Sequence, residues 1–238
     1  MNNVMHVLRL VCVFLNQKGY ERMPVEILPF ALPASRKKVY PAFKAEDMEK
    51  ILNKPDKNTL SGKRDYAVLL LASVTGMRAI DIANLKLSDI QWRRMVIRFV
   101  QKKTGVAITL PLEQKAASAI YDYILNSRPE TDCPYVFLTE DKPYRKLSDK
   151  SSVANILVKY VKQAGVDKTP GDGKSFHAFR RNMGVWLLET STDPELISQI
   201  LGHQSRDVLK QYLPLVPSKL SICALDFDGI QVRAEVYR

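Results

Sequence analysis

The sequence predicts a mainly α-helical protein with a small antiparallel β-sheet, an α+β fold. Apolar residues recur at helical spacing in segments 4–15 and 176–187, and the longest apolar run covers about 66–74. Two alternating, β-branched segments, Met95–Val100 and Val106–Leu110, flank a glycine-containing loop, which is typical of a hairpin. Hydrophobic residues make up 46% and charged residues 26% of the chain, which indicates a folded protein with a real core.

Residues 1–39 are predicted to form an amphipathic helix followed by a basic linker. The helix ends near Gly19, and its apolar stripe consists of Val4, Leu8, Val11, Cys12 and Leu15. The linker contains Pro24, Pro29 and Pro33, and it closes on a basic cluster formed by Arg36, Lys37 and Lys38. A compact domain is predicted for residues 40–238, with a C-terminal tail from about residue 214.

The compact domain is predicted to begin with two helices, 44–51 and 61–74. Gly76 then supplies the backbone freedom for a turn, and Arg78 is expected at the head of the next helix. The free N–H groups and the positive end of the helix dipole lie there. Phosphate is the natural partner of an arginine in that position.

The middle of the domain is predicted to contain the hairpin, two helices and a short strand. Lys102 and Lys103 lie in the hairpin loop. The remaining elements are a helix that begins at Pro111 and runs through Ile124, a strand at 135–138, and a helix over 150–164 that Ser148 caps. A basic, flexible segment at 142–146, which includes Arg145 and Lys146, separates the strand from the last helix.

His177 and Arg180 are predicted to project from the same face of a helix that begins at Ser175, because they lie one turn apart. The opposite flank is expected to be buried and consists of Phe176, Phe179, Met183, Trp186 and Leu187. A single helical histidine is most often a satisfied core or surface residue. A functional interpretation of His177 and Arg180 therefore depends on the motifs that follow them in the sequence.

A second helix is predicted to open with the capping sequence Thr192-Asp193-Pro194-Glu195 and to end at Gly202. His203 therefore stands on a sharp corner. A third short helix, 208–213, carries Tyr212, and the tail beyond it can add a helix at 218–227. An arginine, two imidazoles and a phenol thus follow one another on consecutive short elements.

The pattern His-x-x-Arg at 177–180, Leu-Gly-His at 201–203 and Tyr212, with Thr-Gly-x-Arg at 75–78, resembles the tyrosine recombinase (phage integrase) family. The resemblance runs from about Tyr40 to the C-terminus. It implies the catalytic-domain fold of that family, with residues 1–39 as a remnant of its N-terminal core-binding domain. The family usually has glutamate at the position of Asp81.

The resemblance also implies an enzyme that cuts and rejoins DNA through a 3′-phosphotyrosyl intermediate, for the integration or excision of a mobile element. Arg78 and Arg180 would clamp one phosphodiester, and Tyr212 would attack it. His177 and His203 would act on the proton of the nucleophile and on the phosphate oxygens. Lys103 would be the general acid, with Lys102 as the alternative. This chemistry requires no cofactor and no metal.

Charge supports DNA as the partner, since Lys and Arg number 36 against 25 Asp and Glu, a formal net charge of +11. Beyond the catalytic set, the predicted DNA contacts are Arg36, Lys37, Lys38, Lys102, Arg145, Lys146 and Arg181. The resemblance implies a homo-oligomer, a tetramer on DNA, that assembles through the C-terminal tail. The cysteine pattern favours a reducing cytoplasm, and the spread of basic residues argues against a membrane surface. The alternatives are a non-catalytic DNA-binding regulator and a type IB topoisomerase-like enzyme.

Overall fold

A computed structural model describes residues 2–20, 40–148, 152–169, 171–202, 212 and 215–216. Contacts divide the chain into two units, Met1–Val39 and Tyr40–Arg238. The first unit contains helix α1 (Asn2–Gln17), where the sequence predicts an amphipathic helix. The predicted linker and its basic cluster at 36–38 lie outside the described residues.

The second unit is built around helix α3 (Leu60–Thr75), which packs against helices α5 (Gln114–Asn126) and α7 (His177–Glu189). Helix α3 is buried along most of its length because its apolar residues cover every side. The other helices are α2 (Ala45–Leu52), α4 (Ala79–Ala83), α6 (Ala154–Gln163) and α8 (Pro194–Leu201). Thr59 begins α3 by accepting a hydrogen bond from the Gly62 amide at 3.1 Å.

A three-stranded antiparallel sheet has the order β1 (Ile90–Gln91), β2 (Val96–Val100) and β3 (Ala107–Pro111). In β2 and β3 the inward positions alternate with outward ones, and Ile97 pairs with Leu110 on the buried face. The predicted mainly helical α+β class and its hairpin are confirmed. The sequence does not predict β1, because its two residues are too few to show an alternating pattern.

Three local predictions are wrong. Pro111 does not begin α5; it ends β3 and pairs with Val96, which delays the helix to Gln114. Residues 135–138 form no strand, because their ladder consists of isolated bridges from Tyr135 and Leu138. Trp186 is 57% exposed, since the buried stripe of α7 runs instead through Arg180, Gly184 and Leu187.

Candidate active site

Arg78 is placed by the turn that ends α3. Gly76 adopts a left-handed conformation with φ 61°, and a Cβ at this position would lie 3.0 Å from the Cβ of Met183. Only glycine therefore suits the turn. The chain then leads Arg78 to the first turn of α4, where its Nη1 donates to Gln101 Oε1 at 2.6 Å and lies 3.9 Å from Asp81 Oδ2.

Arg180 projects from α7 toward the same turn. Its Nη1 donates to the Gly76 carbonyl at 3.3 Å, and its Nη2 donates to the Leu201 carbonyl. Burial, followed by the positive charge of Arg78, lowers the pKa of Arg180 to about 10. The guanidinium group stays protonated at neutral pH, and the structure brings the two arginines together. Both have donors beyond those used inside the protein, because a guanidinium carries five.

Tyr212 is completely buried at 0% exposure. Its ring lies against Gly184, where a Cβ would come within 3.0 Å of the ring. The surrounding apolar cluster consists of Leu187, Leu188, Ile197, Leu201 and Val216. Interaction with the Tyr212 phenol raises the pKa of Arg180, in opposition to the burial and to Arg78, so the two groups lie within electrostatic range of each other. An external phosphate can reach the phenol only after the ring leaves this packing.

Lys102 and Lys103 occupy the loop between β2 and β3, and both side chains are exposed. The backbone N–H of Lys102 donates to Asp81 Oδ1 at 2.9 Å. Asp81 is buried, and that burial raises the pKa of its carboxyl group. The shorter acid at this position therefore joins α4 to the hairpin loop. This hydrogen bond uses the backbone of Lys102 and not its ammonium group.

His177 is the first residue of α7 and keeps an exposed side chain. The residue is exposed overall, but neighbouring protein atoms reduce the hydration of the imidazole ring. This desolvation, followed by the positive charges of Arg180, Arg181, Arg78 and Lys103, lowers the pKa of His177 to about 4. The imidazole is therefore neutral at physiological pH in the free protein. The same effects indicate that His177 lies within electrostatic range of both arginines and of Lys103.

Gln101 is the residue that the sequence analysis missed. It is 3% exposed and lies where β2 gives way to the hairpin loop. Its Nε2 donates to the Leu201 carbonyl at 3.2 Å, and its Oε1 accepts from the Thr104 hydroxyl at 2.7 Å as well as from Arg78. Its burial is visible in the sequence, because Gln101 follows Ile97 and Phe99 at every second position, on the face of β2 that points to the core.

The other predicted DNA-binding residues have different surroundings. Arg145 and Lys146 are exposed, and the Lys146 ammonium contacts Asn84 Oδ1. Arg181 is buried, and its guanidinium donates to the carbonyl groups of Pro41 and Gly173. Arg181 thus fastens the start of the domain to α7, and its position does not support the predicted direct contact with DNA.

His203 lies outside the described residues, as do most of the residues around Tyr212. Within the described part of the chain, no group of three or more His, Cys, Asp or Glu residues could hold a metal ion. The described helices include none that is long and apolar enough to cross a membrane.

The low pKa of His177 leads to a pH-dependent prediction. A DNA phosphate beside His177 favours the imidazolium, so DNA binding should raise the pKa of His177 above its value of about 4 in the free protein. At a pH between the free and the DNA-bound pKa values, the complex should therefore take up a proton as it forms. We expect the affinity for duplex DNA to rise as the pH falls through that window, by up to about tenfold per pH unit for one proton. Calorimetric titrations at pH 6 in buffers of different ionisation enthalpy measure the proton uptake. His177→Asn should reduce it, and equal uptake by both proteins would contradict the prediction.

The sequence matches the phage integrase family over residues 41–217. It is 34% identical over 176 residues to the putative integrase/recombinase y4gC of Sinorhizobium fredii, covering 74% of this chain and 89% of that protein. It is 27% identical to the tyrosine recombinase XerA of Pyrococcus furiosus, covering 83% of this chain and 63% of that protein. Two further Sinorhizobium fredii relatives are longer, and the match covers 39% and 44% of their lengths.

The fold is similar to that of a lambda integrase dimer bound to a COC′ core site. The two structures superpose with a TM-score of 0.68 at 20% sequence identity, and the match covers 98% of this chain and 62% of that chain. At this level of identity the likeness supports the architecture alone.

Proposed function

The chain belongs to the phage integrase family, the tyrosine-type DNA recombinases, and from that premise we propose that it cuts and rejoins double-stranded DNA through a 3′-phosphotyrosyl intermediate. One observation carries the proposal. Three separate parts of the chain supply Arg78, the α7 pair His177 and Arg180, and Tyr212. Hydrogen bonds through Gln101 and through the carbonyl groups of Gly76 and Leu201 bring the two arginines to one turn, and their charges act on His177 and Tyr212.

The two arginines would bind the scissile phosphate. Each guanidinium can present a planar pair of N–H donors to the nonbridging oxygens, and together they offset the charge that grows as phosphorus becomes five-coordinate. Arg180 and Arg78 are already held by carbonyl groups and by Gln101. Little reorganisation is therefore needed when the phosphate arrives, which is the condition under which such groups are most effective.

In the cleavage step the Tyr212 oxygen bonds to phosphorus while the bond from phosphorus to the 5′-oxygen breaks. The phenolic proton passes to a neighbouring base, and neutral His177 is suited to accept it or to hold a phosphate oxygen. Lys103 supplies a proton to the departing 5′-oxygen, with His203 assisting at the phosphate. Rejoining is the reverse attack by a 5′-hydroxyl, so the phosphodiester energy is retained and no nucleotide cofactor is consumed.

For attack to occur, Tyr212 has to leave its packing against Gly184. We propose that DNA binding favours the exposed state of the tyrosine, since the phosphate then replaces the phenol beside Arg180. On the same premise, the chain acts in the integration or excision of a mobile element. It assembles as a homo-tetramer on DNA through the tail from about residue 214, and it works in the cytoplasm.

Covalent capture tests the proposal directly. None of the proposed steps uses a metal, so we expect a nicked duplex carrying the target site to be trapped as a protein–DNA adduct equally well with or without EDTA. The adduct is measured as a mobility shift that survives boiling in detergent. Complete loss of the adduct in EDTA, with recovery on adding a divalent ion, would contradict this mechanism.

The same DNA substrates distinguish the alternatives. A recombinase exchanges strands between two target sites, whereas a type IB topoisomerase-like enzyme relaxes a supercoiled plasmid without pairing sites. A non-catalytic regulator would show salt-dependent DNA binding without an adduct. We expect two-site exchange by this protein.

A further inference from the structure

We propose that Gln101 is a positioning residue that sets the spacing of the two active-site arginines and fixes the hairpin loop that carries Lys103. This inference rests on the proposed function. It concerns a side chain that would touch neither the DNA nor the reacting atoms. Gln101 acts through the groups that do.

The first support is the direction of the hydrogen bonds. Arginine only donates and a backbone carbonyl only accepts, so the amide of Gln101 can satisfy both neighbours in one orientation. Its Oε1 faces Arg78 at 2.6 Å, and its Nε2 faces the Leu201 carbonyl at 3.2 Å. No other uncharged side chain of this length offers an acceptor and a donor in that arrangement.

The second support is that the Leu201 carbonyl accepts from Arg180 as well. A continuous chain of hydrogen bonds thus runs from Arg78 through Gln101 and the Leu201 carbonyl to Arg180. The two guanidinium groups repel each other, as the effect of Arg78 on the pKa of Arg180 indicates. A fixed link between them holds two like charges at one separation before any phosphate is present to neutralise them.

The third support is the connection to the hairpin loop. The Thr104 hydroxyl donates to Gln101 Oε1 at 2.7 Å, and the Gly105 backbone N–H donates to the Gln101 carbonyl at 2.9 Å. Lys103 lies between Gln101 and these two residues in the chain, and its side chain is exposed. The loop therefore holds the backbone of Lys103 while leaving the side chain able to reach a leaving group.

The fourth support is the tight packing around the amide. Gly202 follows Leu201 with φ 60°, and a Cβ at Gly202 would lie 2.4 Å from Gln101 Oε1. The amide therefore also contacts the end of α8, immediately before His203. Gln101 joins three segments that each supply a proposed active-site residue, and its burial keeps water from competing for these bonds.

Single-turnover cleavage of a nicked duplex tests the inference with Gln101→Met, which keeps the length of the side chain and removes its three hydrogen bonds, to Arg78, Thr104 and the Leu201 carbonyl. We expect the rate of adduct formation to fall about 10- to 100-fold, because a small misplacement of a catalytic group costs rate on this scale. DNA affinity and the final amount of adduct should change by less than about threefold. Tyr160→Phe, which removes a buried hydrogen bond to Asp65 away from the site, is the matched control and should keep the wild-type rate.

A second substrate separates positioning from a loss of folded protein. When sulfur replaces the bridging 5′-oxygen, the leaving group departs as a thiolate and needs no proton from Lys103. The deficit of Gln101→Met should shrink on this substrate but persist, because Arg78 is still misplaced. Thr104→Val, which frees the loop alone, should show a smaller deficit that disappears with sulfur, and Thr104→Ser should restore the rate.

The outcomes are distinct. A Gln101→Met rate within about threefold of wild type, or equal deficits on the two substrates, overturns the inference. So does a reduced final adduct formed at the wild-type rate, since that is the signature of a partly unfolded sample. Each of these results leaves the proposed function standing if the wild type forms adduct. A wild type that forms none overturns both.

Discussion

Replacement of Tyr212 by phenylalanine is expected to abolish the covalent protein–DNA adduct. Tyr212→Phe removes only the phenolic oxygen, the atom that would bond to phosphorus, and keeps the ring that packs against Gly184. The folded state should therefore survive, and the DNA affinity should stay within about threefold of wild type. We expect adduct formation to drop below detection, a loss that exceeds about 10⁴-fold for removal of a covalent nucleophile.

A buried tyrosine elsewhere in the domain supplies the control. Tyr123 is also buried, and its hydroxyl oxygen accepts the Leu138 amide at 3.2 Å, so Tyr123→Phe removes the same atom at a site with no proposed chemistry. Cleavage by this variant should match that of the wild type apart from a small loss of stability. Peptide mapping of the wild-type adduct should identify Tyr212. A mapped attachment at another residue, or an adduct that forms normally in Tyr212→Phe, would remove Tyr212 from its assigned role.

Substitution of Arg180 is expected to have the next largest effect. Arg180→Gln removes the positive charge and most of the donors at the phosphate, and it loosens the contacts to the Gly76 and Leu201 carbonyl groups. We expect single-turnover cleavage to fall about 10²- to 10³-fold, the typical cost of losing one group that stabilises charge in the transition state. The cleavage rate of Arg180→Lys should lie between those of the wild type and Arg180→Gln, because lysine keeps the charge but lacks the planar pair of N–H donors.

The neighbouring arginine separates chemistry from stability. Arg181 is similarly buried and also donates to two backbone carbonyl groups, those of Pro41 and Gly173. Arg181→Gln should therefore lower the melting temperature, as Arg180→Gln should, yet leave the cleavage rate of the folded protein within a few-fold of wild type. Equal rate losses in the two variants would show that the Arg180 effect is structural.

A neutral phosphate analogue adds a further test of Arg180. A methylphosphonate linkage lacks one negative charge, so the transition state needs less positive charge from the protein. The ratio of wild-type to Arg180→Gln rates should be smaller on this linkage than on the natural phosphodiester. An unchanged ratio would argue that Arg180 does not act on the charge of the phosphate.

The local elements follow from the sequence by short-range rules, whereas the catalytic candidates follow from the resemblance of their motifs to the tyrosine recombinase family. The end of α3 at Gly76 and the end of α8 at Gly202 were predicted from glycine at the close of an apolar helix, and both residues adopt left-handed conformations. The capping sequence predicted at 192–195 begins α8, where the Asp193 carboxylate accepts from the Glu195 amide. Such features depend on residues within one helical turn of each other, which is why a single sequence suffices to find them.

The tertiary structure decided which face of each element is buried and which distant groups meet. Arg180 and Arg181 are adjacent in sequence, yet one lies beside Arg78 and the other fastens Pro41, because successive residues on a helix point about 100° apart. The link through Gln101 joins residues of α4, β2 and α8, whose meeting depends on how these elements pack around α3. The burial of Tyr212 against Gly184 has the same origin. Local sequence determines which groups are available for chemistry, whereas long-range packing determines how they are spaced and whether they are exposed.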